Sequence, residues 1–231
     1  MKKLMVLMMV LCLGCVAWAS NKADVQDRID NAAKVLQQIQ AAPDTGIPDE
    51  ILAKAKCVAV VPHMLKAGFG IGAEHGKGVM TCRNANGWSA PALFTITGGS
   101  FGFQIGAEGV DLVMLAMNDT GMQKLMNDKV ELGADASVAA GPVGRHASAD
   151  TDIKLNAEIL TYSRTKGAFA GVALKGAVIR QDKDSTEAYY GRDIPPQTLL
   201  TGKVPPPPGA QAFLNTVSHS KAVATNKEKS D

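Results

Sequence analysis

From Cys57 to about residue 180 the chain alternates short apolar runs with glycines, and this pattern limits the fold more than any other feature. A glycine inside a run lowers helix propensity, whereas in a strand it marks a bulge, a bend or a close backbone approach. The segments 57–61, 68–73, 77–83, 91–97, 101–107, 111–117, 134–140, 155–163 and 168–180 therefore read as strands, the last with a break. Many short, glycine-punctuated strands build a twisted antiparallel sheet, curved or closed into a barrel-like sandwich. No period of fixed length is present, which excludes propellers and solenoids.

Helices flank this block. In residues 22–41, Val25, Ile29, Ala32, Leu36 and Ile39 recur at steps of four and three and form one apolar stripe. Such a helix packs on its own domain or lies on a membrane surface. Its charges balance, with Lys22, Arg28 and Lys34 against Asp24, Asp27 and Asp30, so electrostatic attraction to anionic lipid is weak. Pro48 opens a short helix running to about Lys56, with Asp49 and Glu50 in its first turn, as the helix dipole prefers. Asp119 or Thr120 caps another through about Asn127, and residues 184–192 hold a turn or two. The fold class is α+β.

The first 19 residues read as a secretory signal. Lys2 and Lys3 precede the apolar run from Leu4 to Leu13, and Ala17-Trp18-Ala19 supplies the small-x-small cleavage pattern, with cleavage near Ala19. A lipoprotein anchored at Cys15 competes with this, since Leu13-Gly14-Cys15 resembles the end of a lipobox. The expected organisation is a signal at 1–19, one domain over 20–202, and a Pro-rich, largely flexible tail over 203–231, with a short helix near 210–217. The destination is the periplasm or outer envelope. Without Lys2 and Lys3 the formal charge falls from +2 to about zero, a poor balance for nonspecific nucleic-acid binding. Outside the signal only Cys57 and Cys82 remain. In an oxidising compartment they form a disulfide, or else they are buried thiols.

The stretch "GFGIGAEHGKGVMT", residues 68–81, looks like a phosphate loop. A Walker motif ending in Gly76-Lys77 needs glycine at 71 and a hydroxyl at 78, where Ile71 and Gly78 stand, and no long helix follows. The dinucleotide spacing fails as well. No nucleotide is expected, and the stretch reads instead as a β-hairpin with its tip near Glu74 to Lys77. Cys57, His63, His75 and Cys82 are metal-ligating types at spacings that fit no compact zinc module, so no metal is expected. Gly98-Gly99-Ser100-Phe101-Gly102 spells the Gly-x-Ser-x-Gly of a nucleophile elbow, but a strand rather than a helix follows it.

Six stretches, "KAGFGIGAEHGKGVM", "GWSAPA", "GGSFGFQIGAEGVDLVML", "LGADASVAAGPVGR", "YSRTKGAFAGVALKGAVI" and "AYYGRDIPPQTLLTG", resemble in order and spacing the SYLF domain family over about residues 24–202. The resemblance implies a lipid-binding module without catalysis and without a cofactor. In eukaryotic members the N-terminal amphipathic helix is implicated in membrane contact, and bacterial members are commonly exported single-domain proteins. The partner it implies is phospholipid or a membrane surface.

On this reading Val25, Ile29, Leu36 and Ile39 insert into an anionic membrane. Cations near strand ends assist by pairing with lipid phosphates. The candidates are Lys66, Lys77, Arg145, Arg164 and Lys166, with Arg83 and Lys175 as lesser ones. Phe69, Phe101 and Phe169 are candidate apolar anchors. Two rivals stand beside it: a carrier holding a small apolar ligand in an interior cavity, and an envelope serine hydrolase using Ser100.

Overall fold

The glycine-bearing apolar runs between 57 and 116 do not break into six short strands. They form two continuous ones, β1 (Cys57–Asn84) and β3 (Ala92–Ala116), paired antiparallel along nearly their whole length. The structure, a computed structural model, describes residues 22–39, 41, 46–143, 157–165, 168–171 and 174–218; for 69–71, 100–106, 165 and 168–171 it describes the backbone alone. The hairpin tip lies at Ala85 and Asn86, where β2 (Gly87–Trp88) turns back on Arg83 and Asn84. Glu74 to Lys77, expected as the tip, sit in mid-strand.

Straight, 28 residues of strand would reach about 90 Å. Instead the ribbon curls until β1 meets itself. A Cβ on Gly76 would lie 2.4 Å from Val61 Cγ1, and one on Gly78 would lie 2.3 Å from the Phe94 ring and 2.8 Å from the Val60 carbonyl oxygen. Only a residue without a side chain allows that approach. The closure is fixed where Arg83 N–H donates to the Lys56 carbonyl at 2.8 Å and where Cys57 and Cys82 form a disulfide. The bridge joins residues 25 positions apart, so its loss removes about 3 kcal/mol on the chain-entropy account. We predict that dithiothreitol lowers the urea midpoint of the wild type to that of a Cys57→Ser/Cys82→Ser variant. An unchanged midpoint on reduction would contradict this.

Further strands extend the sheet from β3. Its Asp111–Ala116 half pairs with β6 (Ile159–Thr165), and its Phe94–Thr97 segment pairs with β8 (Val178–Gln181). Strand β4 (Lys129–Glu131) joins β8, β7 (Ala168–Gly171) joins β6 antiparallel, and β5 (Val138–Ala140) joins β6 in parallel. The sheet is therefore mixed rather than wholly antiparallel and curls into a half-barrel. The parallel pair follows from the long connection between β5 and β6, since parallel neighbours need a crossover of a dozen residues or more.

Side chains alternate into two cores. Cys57, Ala59, Val61, Leu112 and Met114 face the inside of the curl. Val58, Val60, Val113, Leu115, Leu160 and Tyr162 face outward against helices. Burial on both faces explains the unbroken apolar reading of "CVAVV".

The helices are α1 (22–39), α2 (Asp49–Lys54), α3 (Asp119–Leu125), α4 (Lys183–Tyr190), α5 (Pro196–Leu200) and α6 (211–218). Asn118, rather than Asp119 or Thr120, caps α3 by accepting the Gly121 N–H at 2.8 Å. Beyond the boundary expected at 203, the chain up to residue 218 belongs to the fold, and 219–231 lie outside the described residues. Ala210, Phe213, Leu214 and Val217 are buried in the outer core, and Gln26 donates to the Gly209 carbonyl at 2.8 Å. The prolines at 205–208 carry the chain across to α1 instead of ending the fold. Residues 1–19, with Cys15 and Ala19, lie outside the described residues.

Candidate functional site

The apolar stripe of α1 is the feature on which membrane insertion was expected to rest. Val25, Ile29, Leu36 and Ile39 are each no more than 1% exposed, packed against the outer sheet face and α6. This corrects the expectation of a stripe available to lipid: the sheet's own outward apolar residues need a cover, and α1 supplies it. Two polar clusters hold the helix down.

The first is centred on Asp182. Its side chain caps α4, with Oδ1 accepting the Ser185 N–H at 3.2 Å. Its Oδ2 accepts the Ser185 hydroxyl at 2.7 Å and Arg28 Nη1 at 3.1 Å, while Arg28 Nη2 donates to Ser185 Oγ at 3.0 Å. Lys77 Nζ stands 3.5 Å from the same carboxylate oxygen. Arg28 and Asp182 are both buried, at 8% and 7% side-chain exposure. Burial alone would raise the Asp182 pKa, but the Ser185 hydrogen bonds and the Arg28 and Lys77 charges outweigh it and hold the carboxyl below its usual range. Arg28 stays protonated, as guanidinium does in proteins, so its burial is a cost that the pairing must offset.

The second cluster is centred on Asp111, buried in β3. Pro62 and His63 stand together opposite it as a β-bulge, with His63 at φ 54°, and this aims the His63 N–H at Asp111 Oδ1 at 3.1 Å. Arg164 on β6 donates Nε and Nη2 to Asp111 Oδ2 at 2.9 and 2.5 Å, and its Nη1 donates to the Gln38 side chain of α1.

These pairings change how the basic residues read. Lys66 lies 3.6 Å from Glu74, Lys77 pairs with Asp182, and Arg164 pairs with Asp111. Each was expected to meet lipid phosphate, and each meets a carboxylate of its own chain. Arg83 donates to the Ala53 and Ala55 carbonyls at the end of α2 and stacks on Trp88, 4.3 Å from the ring centroid. Lys175 is exposed in the turn before β8. Arg145 and Lys166 lie outside the described residues, as do the side chains of Phe69, Phe101 and Phe169. The structure thus brings Lys77 to the carboxylate that holds Arg28, and Arg164 to the end of α1.

The partners Glu74, Asp111 and Asp182 were missed in the sequence. A signal was present: Asp111 interrupts the apolar run "GVDLVML", and a lone carboxylate in a strand buried on both faces requires a cation. Asp182 with Ser185 has the spacing of a helix cap.

Geometry also bears on the rival motifs. Ser100 lies in mid-strand opposite Gly72, without the strand–turn–helix setting that exposes a hydrolase nucleophile. Residues 68–81 are strand throughout, so no glycine loop opens onto a helix there. Cys57 and Cys82 are bonded to each other and supply no thiolate to a metal.

Comparison with known proteins adds the family. The family model described as Ysc84, Las17-binding protein actin regulator, matches residues 97–220. The chain belongs to this family, the one its six motifs resemble. The matched segment includes α6, in keeping with a domain that extends beyond residue 202. The chain is 33% identical over 196 residues to SH3 domain-containing YSC84-like protein 1 of Homo sapiens and to that of Rattus norvegicus. These alignments cover 82% of this chain and 57% of each relative. LAS seventeen-binding protein 3 of Saccharomyces cerevisiae is 33% identical over 178 residues, 75% of this chain and 39% of that protein. The chain therefore spans little more than half the length of the mammalian relatives and well under half of the yeast one, and none of the three is named for a reaction.

Proposed function

We propose that the protein is a non-enzymatic phospholipid-binding protein of a bacterial cell envelope, with anionic lipid as its partner. Family membership is the observation that carries this reading, because the SYLF resemblance implies a lipid-binding module. The family description points to Las17 and to actin regulation, and the name of the yeast relative to Las17. Those partners are not proposed here, since an exported chain does not meet the actin machinery. The signal-like residues 1–19 and the Cys57–Cys82 bridge support export to an oxidising compartment. Because α1 forms part of the core, the form to test is the whole mature chain.

The test is co-sedimentation of residues 20–231 with vesicles of phosphatidylcholine alone and with added phosphatidylglycerol or cardiolipin. The expected result is pelleting with the two anionic mixtures, reduced at high salt. A protein that stays in the supernatant with every composition is not a phospholipid-binding protein of this kind.

A further inference from the structure

We infer that the bilayer contact is the outer face of the curled ribbon, residues 65–73 of β1 with 99–109 of β3, rather than α1. This rests on the membrane reading above. In this arm the two strands pair odd residue to odd and even to even: Leu65 with Gly109, Ala67 with Ala107, Ala73 with Gly99, and between them 69 with 105 and 71 with 101. Successive residues alternate between faces. The even row faces in and carries all of the arm's charge. Glu74 is buried and paired with Lys66, and Glu108 is half-buried.

The odd row faces out. Leu65 is 53% exposed, the most exposed large hydrophobic side chain among the described residues, and Ala67, Ala73, Gly99, Ala107 and Gly109 are exposed with it. In the sequence, the odd positions from 65 to 73 and from 99 to 109 hold no charged residue. The row ends in polar residues: His63, 80% exposed, precedes it, and exposed His75 and half-exposed Lys77 follow it.

An exposed, uncharged strip bracketed by the His63 and His75 imidazoles, with Lys77 held beside Asp182 beyond it, suits one occupant, the surface of a phospholipid bilayer. The strip lies in the acyl boundary and the two imidazoles lie at the level of the headgroups. The described members of the row are small apart from Leu65. They offer little relief for a protein partner to interlock with, whereas a fluid surface needs none. The arm makes this contact without disturbing α1.

The experiment compares wild-type 20–231 with Leu65→Asp and Ala67→Asp on phosphatidylglycerol-containing vesicles, with an Ala67→Trp variant read by brominated-lipid quenching. Both aspartates replace exposed side chains, and an unchanged urea midpoint checks that the variants fold. We expect each aspartate to lower vesicle partitioning at least tenfold, and bromolipid to quench the introduced tryptophan well beyond the native tryptophan background. If the wild type pellets while the aspartate variants bind within twofold of it and the introduced tryptophan is not quenched, the ribbon assignment fails and lipid binding stands. A wild type that never pellets removes both. A wild type that dimerises through this face, dissociates on Leu65→Asp and ignores vesicles makes the strip a contact between copies and overturns the assignment.

Discussion

A chain lacking residues 22–41 is expected not to fold cooperatively. Helix α1 buries Val25, Ile29, Ala32, Ala33, Val35, Leu36 and Ile39. At about 1.5–3 kcal/mol for each large apolar side chain, the five largest of these contribute on the order of 10 kcal/mol. Domains of this size have a net stability of about 5–15 kcal/mol. The deletion also strips the cover from Val58, Val60, Val113, Leu115 and Leu160. Thermal unfolding followed by circular dichroism, with size-exclusion chromatography, is predicted to show no cooperative transition and soluble aggregates. A monomer with a sharp transition would show that α1 is dispensable to the core. The milder Leu36→Ala should cost about 2–5 kcal/mol, the usual range for emptying a packed site. A truncation is therefore a poor probe of membrane binding by α1, because it removes the fold along with the helix.

The second large effect is expected at Asp182. Asp182→Ala leaves the Arg28 guanidinium buried without its carboxylate, removes the cap of α4 and deprives Lys77 of its partner. Breaking a buried pair from one side costs about 3–5 kcal/mol, chiefly through the stranded charge. The urea midpoint should fall accordingly, and the double variant Arg28→Met/Asp182→Leu should lose less than Asp182→Ala alone. If the double variant were the weaker of the two, stranded charge would not be the cause.

The pair also shapes the acid limb. The folded Asp182 pKa lies below its unfolded value of about 3.9, so its stabilisation is complete above that pH and is lost as pH falls through the folded pKa. Stability of the wild type should therefore drop more steeply below about pH 4 than that of the double variant.

The sequence made parts of this legible and hid others for physical reasons. The stripe of α1 was readable because a 3.6-residue period is a local property, and its faces were assigned correctly. Whether that stripe meets lipid or protein was not readable, since the answer depends on which face of β1 and β3 lacks a cover. Strand content was visible, but strand continuity was not. Glycines at 68, 70, 72, 76 and 78 look like turn punctuation one residue at a time. Only the pairing of β1 with β3 shows them to lie inside one strand, and only the return of Gly76 onto Val61 shows why glycine is needed at that point. Lys77 and Arg164 were noticed as cations of the site, whereas Arg28 and the carboxylate partners were not, because Arg28–Asp182 and Arg164–Asp111 join residues 154 and 53 positions apart. Prolines 205–208 suggested an end to the fold, though the spacing of Phe213, Leu214 and Val217 already carried one helical face.

Amide hydrogen exchange of residues 20–231, free and on phosphatidylglycerol vesicles, separates a docked helix from a membrane-bound one peptide by peptide. Peptides from α1 are expected to keep their protection on the membrane, while peptides covering 64–76 and 97–110 exchange more slowly than in solution. Loss of protection in α1, with the ribbon unchanged, would return the membrane contact to an undocked helix.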